Sequence, residues 1–394
     1  MPPVRVDASL PVVIGTAPVH TLELDDPATA PVNTPVLVFN RSEYVSKFGY
    51  VPEDESSHDY TLSEFADVYF GSYGVCPAVF INVFDPMFHG HVSGVTSQNI
   101  IGGIDGPTLR KTGLELISEV FPRFRMVPGQ ILAPGFSGDA EVAVAIGAKC
   151  ENINGHFRAT GIIDIPKDVQ NYTEAPAWIV DKNLTDENLI AFLGQPKVGD
   201  ALHWGSTHLA GVTALRDASS GGVPYWSPSN NRMICNGLVH NESELALGPE
   251  VAQWLNGNGI VTGLNWIGGM VAWGNRTAAY PGITDVKDTF IPIRRMFNWI
   301  ANTIVLTYWQ KLDSPMNRRM VNSIVDSINV WLNGLTAREY ILGGRLMFLE
   351  GENPTTDMMD GKLRFHLYLC TPPPAEDIEF ILEYDPNYFE TLFS

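Results

Sequence analysis

The C-terminal end of this chain limits what it can fold into more than any other stretch. Leu363, Phe365, Leu367 and Leu369 alternate with Arg364, His366 and Tyr368, the period-two pattern of a half-buried strand. Pro372, Pro373 and Pro374 then remove consecutive backbone donors and hold the chain extended. A second alternating run follows from Asp377 to Tyr384, with Ile378, Phe380, Leu382 and Tyr384 in step. A triple-proline spacer does not make a tight hairpin, so this run need not return to the strand before it. A strand projected from its own domain is either an aggregation hazard or a donor to another subunit's sheet edge.

The rest of the chain has to supply a body for that strand. Its 394 residues suffice for two or three domains, each with a real core. Charged residues make up only 18%, against 45% hydrophobic, which leaves a largely uncharged surface suited to broad partner contacts. The formal net charge of −19 repels phosphate backbones and anionic lipid heads, so direct binding to nucleic acid or membrane is not expected. No apolar stretch approaches the roughly 20 residues of a membrane span, and Met1-Pro2-Pro3-Val4-Arg5 does not open like a signal peptide. Cys76, Cys150, Cys235 and Cys370 are far apart and read as buried free thiols in a reducing cytoplasm.

Along the first half, strand-like and helix-like segments alternate, which predicts an α/β layer. Strands are expected at Pro11 to Gly15, Pro35 to Phe39, Val79 to Phe84, Ile131 to Gly135 and Ala159 to Ile165. Helices are expected from Ser42 as N-cap to Gly49, from Thr61 to Phe70, from Asp139 to Cys150 and, in short form, from Asp186 to Leu193. Gly205 to Val223 is rich in Gly, Ser and Thr and reads as loops. Beyond Gly248-Pro249 the character changes to α+β. One helical stripe runs Ile293, Met296, Phe297, Ile300, Ile304, Tyr308 and a second runs Met320, Ile324, Ile328, Trp331, Leu335. Ser314-Pro315 reads as the cap and first residue of the second helix and Gly334 as its end. The short connection makes the two helices antiparallel neighbours. A strand pair, Arg345 to Leu349 and Leu363 to Cys370, follows.

Catalytic signatures are weak. The run Gly257-Asn258-Gly259-Ile260-Val261-Thr262-Gly263 has the wrong spacing for a phosphate loop and reads as a turn. Ser137, between Gly135 and Gly138 and just before a helix, resembles a nucleophile elbow, but Asp139 stands where the second glycine belongs. A hydrolase would also require Asp164 with His203 or His208 nearby; the plainer reading is a capping serine. His89 and His91 with His58 lack a characteristic metal-ligand spacing and read as surface histidines. Asp25-Asp26 and Glu53-Asp54-Glu55 read as solvated charge. No cofactor, no metal and no enzymatic activity are expected.

Trp273-Gly274-Asn275-Arg276-Thr277, followed by Ile291-Pro292-Ile293-Arg294-Arg295 opening a long helix, resembles the C-terminal half of contractile tail sheath proteins from myophages, R-type pyocins and related injection machines. Pro373 to Phe380, Tyr225 to Asn230, Ile14 to Ala17 and the Lys47-Phe48-Gly49 ending are similar to other parts of the same family. The resemblance implies a subunit of two parts. An inner α+β domain, from residues 1–20 plus 247–394, would face a rigid tube, and an inserted outer α/β domain, 21–246, would face solvent. Residues 371–394 would form an extended strand arm, with Ile378, Phe380, Leu382 and Tyr384 entering a neighbour's sheet. Arg294, Arg295 and Lys311 are the candidate tube-facing charges, with internal ion pairing the alternative for the two arginines. Partners would be further copies of itself, an inner tail tube protein, and baseplate and tail-terminator proteins at the ends. The location would be a virion tail assembled in the host bacterial cytoplasm. The upstream arm usual in this family is expected to be shorter, reorganised or replaced, because Met1 to Leu10 offers only Val4 and Val6 in alternation. The remaining alternatives are a non-contractile baseplate or capsid-type subunit, and an α/β hydrolase using Ser137.

Overall fold

The computed structural model describes residues 6–23, 29–51 and 59–392. Its strands are β1 (Pro11–Gly15), β2 (Pro35–Val38), β3 (Ala78–Asn82), β4 (Gln130–Leu132), β5 (Thr160–Asp164), β6 (Leu189–Leu193), β7 (Gln195–Val198) and β8 (Ala201–Leu202). They continue as β9 (Asn231–Arg232), β10 (Gly237–His240), β11 (Ser243–Glu244), β12 (Ile260–Trp266), β13 (Gly269–Trp273), β14 (Gly343–Met347) and β15 (His366–Cys370). Nine of them form one mixed sheet in the order β2-β3-β1-β4-β5-β6-β12-β13-β9. From β3 to β12 the neighbours are parallel. The parallel strands β1, β3, β4, β5 and β6 are buried along their whole length, as helices covering both faces require. That is why they read in the sequence as short continuous apolar runs. A second sheet, β11-β10-β7-β8, and the β14-β15 hairpin are antiparallel.

Two segments differ from the sequence reading. Leu189–Leu193, within the expected helix from Asp186, is the central strand β6. Leu-Ile-Ala-Phe-Leu is apolar on both faces, and a five-residue apolar run has no periodicity that separates helix from strand. Gly205–Ser219, expected as loops, is a helix buried along most of its length. Its small residues serve close approach: a Cβ on Gly205 would lie 2.0 Å from the Phe192 ring, and one on Gly211 2.3 Å from the Tyr73 ring. Glycine lowers helix propensity, yet packing against the sheet overrides it here.

Smaller corrections concern element ends. The turn at Gly257 closes by Gly259, and Ile260 opens β12, which pairs with β13 in a hairpin not anticipated from sequence. Asn40, not Ser42, caps the Arg41–Phe48 helix. Asn317, not Ser314, caps the Arg318–Ala337 helix, and Gly334 lies inside it. The helix Thr61–Ala66 continues as a π-type segment to Ser72 and buries Leu62, Phe65 and Tyr69 as expected. Cys76 and Cys370 are exposed rather than buried; none of the cysteines is disulfide-bonded.

The long helices Ile291–Tyr308 and Arg318–Ala337 run antiparallel. Trp299 packs on Trp331 with ring centroids 5.7 Å apart, while Tyr308 meets Ser327 one end later. The β14-β15 hairpin packs on the second of these helices, where Asn329 hydrogen-bonds both the N–H and the C=O of Leu346, at 2.7 and 3.1 Å. β6 and β12 pair across the expected domain boundary at 246/247, with Ile260 beside Ala191 and Thr262 beside Leu193. One hydrophobic core therefore runs from Val6 to Leu346. Residues 6–10 belong to it: Val6, Ala8 and Leu10 are buried, and the Trp299 indole donates to the Val6 carbonyl at 3.1 Å.

Candidate functional site

Numbered along the chain, the parallel strands lie in the order β3-β1-β4-β5-β6-β12, so connections switch sides between β1 and β4. In open α/β sheets the crevice beyond the strand ends at such a switch is the usual ligand site. Here it is filled from within. Thr16, just past β1, and Thr61 exchange hydrogen bonds, each N–H donating to the other's hydroxyl at 3.2–3.3 Å. Gly135, past β4 at φ +81°, is so close to Thr61 and the Trp204 ring that a Cβ would sit 2.8 and 3.4 Å from them. Asp164, ending β5, accepts from the Ser206 N–H at 2.7 Å, the Ser206 hydroxyl at 2.5 Å and the Ser137 hydroxyl at 3.2 Å. Glu64 accepts from the Trp204 N–H at 2.7 Å. The N-terminus of the Gly205–Ser219 helix is a natural anion site, and an internal carboxylate already occupies it. Burial pushes the Glu64 carboxyl up to about 8 and that of Asp164 up to about 6.

This arrangement does not build the hydrolase considered from sequence. Ser137 is fully buried, and its hydroxyl donates to the Asp164 carboxylate and accepts from the Asp164 N–H at 3.0 Å. His208 uses both ring nitrogens elsewhere, with Tyr73 Oη at 3.0 Å and His203 at 3.1 Å. Burial drives the His208 imidazole down to about 3, so it stays neutral. Ser137 is a structural serine but not the helix cap expected of it: Asp139 caps the Ala140–Glu151 helix, accepting the Glu141 N–H at 3.0 Å. His89 takes the Asp85 N–H on Nδ1 at 3.0 Å, His91 pairs with Ser93 at 3.0 Å, and His58 lies outside the described residues, as do Asp25-Asp26 and Glu53-Asp54-Glu55. No group of three or more His, Cys, Asp or Glu is placed to hold a metal among the described residues. No helix among them is long and apolar enough to cross a membrane.

The arginine pair points inward. Arg294 is 6% exposed, with Asp288 at 3.0 Å, Glu187 at 3.6 Å and the Asn188 side chain at 3.0 Å. Arg295 is 3% exposed and grips the Asp217 carboxylate with both terminal nitrogens, while also donating to the Ala8 carbonyl at 3.2 Å. Against the expectation that they face a tube, both guanidiniums are committed inside the subunit. Lys311 is exposed, and so are Arg318 and Arg319 at the start of the next helix.

After β15 the chain leaves the body as an extended segment without a strand partner among the described residues. Ile378, Phe380, Leu382 and Tyr384 are 69%, 83%, 96% and 76% exposed. Four large apolar side chains in step thus stand in water. One contact escaped the sequence reading. Glu376 is held by Arg276 of the Trp-Gly-Asn-Arg-Thr motif, with Nε to Oε1 at 2.9 Å and Nη2 to Oε2, and by Asn256 at 3.2 Å. The only sequence signal was that an unpaired acid follows a proline strap.

No family model matches the chain. Curated relatives do, among them the three that follow. The tail sheath protein of Burkholderia phage BcepMu is 26% identical over 311 residues, 76% of this chain and 64% of that protein. A putative prophage major tail sheath protein of Pseudomonas aeruginosa is 25% identical over 366 residues, covering 90% and 87%. The tail sheath protein of Escherichia phage P2 is 24% identical over 386 residues, covering 93% and 89%. Over most of its length the chain is similar to tail sheath proteins. Among solved structures, a chain of the anti-feeding prophage baseplate superposes with TM-score 0.70 at 18% identity, covering 98% of this chain and 96% of that one. A chain of the PVC sheath complex in its contracted state matches with TM-score 0.70 at 16% identity, covering 98% and 95%. The nine-strand sheet and its helices are thus the sheath fold.

Proposed function

We propose that this chain is the subunit of a contractile tail sheath, a virion component that polymerises helically around an inner tube. Collective rotation of the subunits would shorten the sheath and drive the tube through a target envelope. The observation that carries this reading is the unpartnered arm at Asp377 to Tyr384 on a body with the sheath fold. The arm adds as a strand to a second copy, burying Ile378, Phe380, Leu382 and Tyr384. Fully burying such side chains stabilises by about 1.5–3 kcal/mol each, and each backbone hydrogen bond adds about 0.5–1.5 kcal/mol. The β14-β15 hairpin is the acceptor, along β15, because Asn329 already occupies the outer edge of β14 at Leu346. Donor and acceptor are different surfaces, so the contact propagates instead of closing as a dimer.

In this reading the tube-facing part comes from residues 1–20 and 247–394 and the outer part from 21–246. Sheet and core run across that division, which supports movement of the subunit as one rigid body. Lys311, joined by Arg318 and Arg319, presents the charge to the tube, and baseplate and terminator proteins meet the polymer at its ends. Truncation after Glu376 tests the arm. The truncated subunit should remain folded and monomeric where the full chain forms tubes in negative-stain micrographs. Normal tubes from it would sink the strand-donor reading.

A further inference from the structure

We infer that Glu376 is the fixed root of the arm and Arg276 its anchoring residue, so that the arm swings after residue 376 and not at the triple-proline strap. The inference deepens the strand-donor reading and rests on it for its consequence in assembly. A strap of three prolines between two strands is the obvious hinge. Both of its ends, however, are tied down. On one side Cys370 closes β15 against Gly343, and Thr371 is buried. On the other, the Glu376 carboxylate receives Nε and Nη2 of Arg276 in a paired fork and the Asn256 amide besides. Such paired charge-assisted bonds fix geometry as well as adding energy.

The anchor is itself built in. The Arg276 guanidinium lies 3.7 Å from the centre of the Phe290 ring and 4.4 Å from that of Tyr280, and its Nη1 donates to the Thr289 hydroxyl at 3.2 Å. Asn256 is buried and set by accepting the Asn275 N–H at 2.8 Å. Every group that holds Glu376 is therefore oriented by the body before the arm arrives. The backbone at Gly274, at φ +132°, turns the motif so that Arg276 faces the strap; a Cβ there would lie 2.8 Å from Val261. Between strap and body lies a cleft of about 380 Å³, lined on one side by Tyr225, Trp226 and Trp273 and on the other by Pro372 to Glu376. The strap bridges this cleft as a beam pinned at both ends. From Ile378 to Tyr384 the apolar side chains are 69% exposed or more. Rotation that keeps the arm bonded to its neighbour then falls on the bonds just beyond Glu376, and the arm's reach is set from that residue.

Spin labels test this in the full chain. With the exposed Cys76 and Cys370 replaced by serine, nitroxides at Ala375→Cys and Glu379→Cys report on the two sides of the root. In the monomer, the label at 375 should be several-fold slower than the one at 379. Glu376→Ala should bring 375 to the mobility of 379 while the body stays folded, and Glu376→Gln should give an intermediate value. Arg276→Gln should free the label in the same way. Equal mobility at 375 and 379 in the parent chain would overturn the inference, as would an immobile 375 in Glu376→Ala. The comparison needs no polymer. It is therefore decided separately from the truncation after Glu376, which tests the arm.

Discussion

Replacing Arg295 by methionine separates two roles that the sequence leaves open for this residue. If Arg295 served a tube, the substitution would spoil assembly and leave stability alone. The structure requires the opposite. The guanidinium is 3% exposed and the Asp217 side chain facing it 1%, with bonds to both carboxylate oxygens and to the Ala8 carbonyl. Methionine fills much of the volume but leaves a carboxylate uncompensated in the interior. Breaking a buried pair in this way costs about 3–5 kcal/mol. With an unfolding entropy of about 2.1 cal/mol/K per residue, a loss near 4 kcal/mol lowers the melting temperature of a chain this long by about 5 °C. Replacing both partners, Arg295→Met with Asp217→Leu, removes the stranded charge and should recover most of the loss, to within about 1–2 kcal/mol of the parent. The assay is urea unfolding of the monomeric subunit, truncated after Glu376, as a double-mutant cycle at pH 7. A cost for Arg295→Met below about 1 kcal/mol, or single and double costs that simply add, would refute the argument.

Two further outcomes follow from the same geometry. Burial holds the Glu64 carboxyl at about 8, above its ordinary 4.5, so the folded state binds its proton more tightly than the unfolded state does. That stability is fully present below about pH 4.5 and fades as pH rises through about 8, at up to ~1.4 kcal/mol per pH unit. Glu64→Gln keeps an acceptor for the Trp204 N–H and should match the parent at pH 4.5 while exceeding it by a few kcal/mol at pH 9; urea midpoints with identical pH slopes would contradict this. Reversing Lys311, Arg318 and Arg319 to glutamate should change stability by only about 0.5 kcal/mol per site, because all are exposed. It should abolish tube-templated assembly in co-sedimentation, and undiminished co-sedimentation would remove these residues from the tube contact.

Much of the architecture was legible without coordinates. Continuous apolar runs at Pro11 to Gly15 and Val79 to Phe84 announced buried parallel strands, and the two helical stripes after Ile291 fixed a helical pair. The alternation of Ile378, Phe380, Leu382 and Tyr384 after three prolines pointed to a segment that leaves the body, and these side chains are exposed. Missing phosphate-loop and triad patterns argued against chemistry. All of these are local signals, in which periodicity and turn chemistry act over a few residues.

The tertiary structure decided what depends on partners far along the chain. Gly205–Ser219 could become a helix only because Phe192 and Tyr73 lie where its glycines allow close approach. Leu189 to Leu193 became a strand because β5 and β12 flank it. Arg295 turned inward to an aspartate 78 residues away. Arg276 and Glu376, 100 residues apart, meet to root the arm. A sequence states what each segment can bury; which charge finds which, and from where a free strand swings, is settled only when packing brings distant residues together.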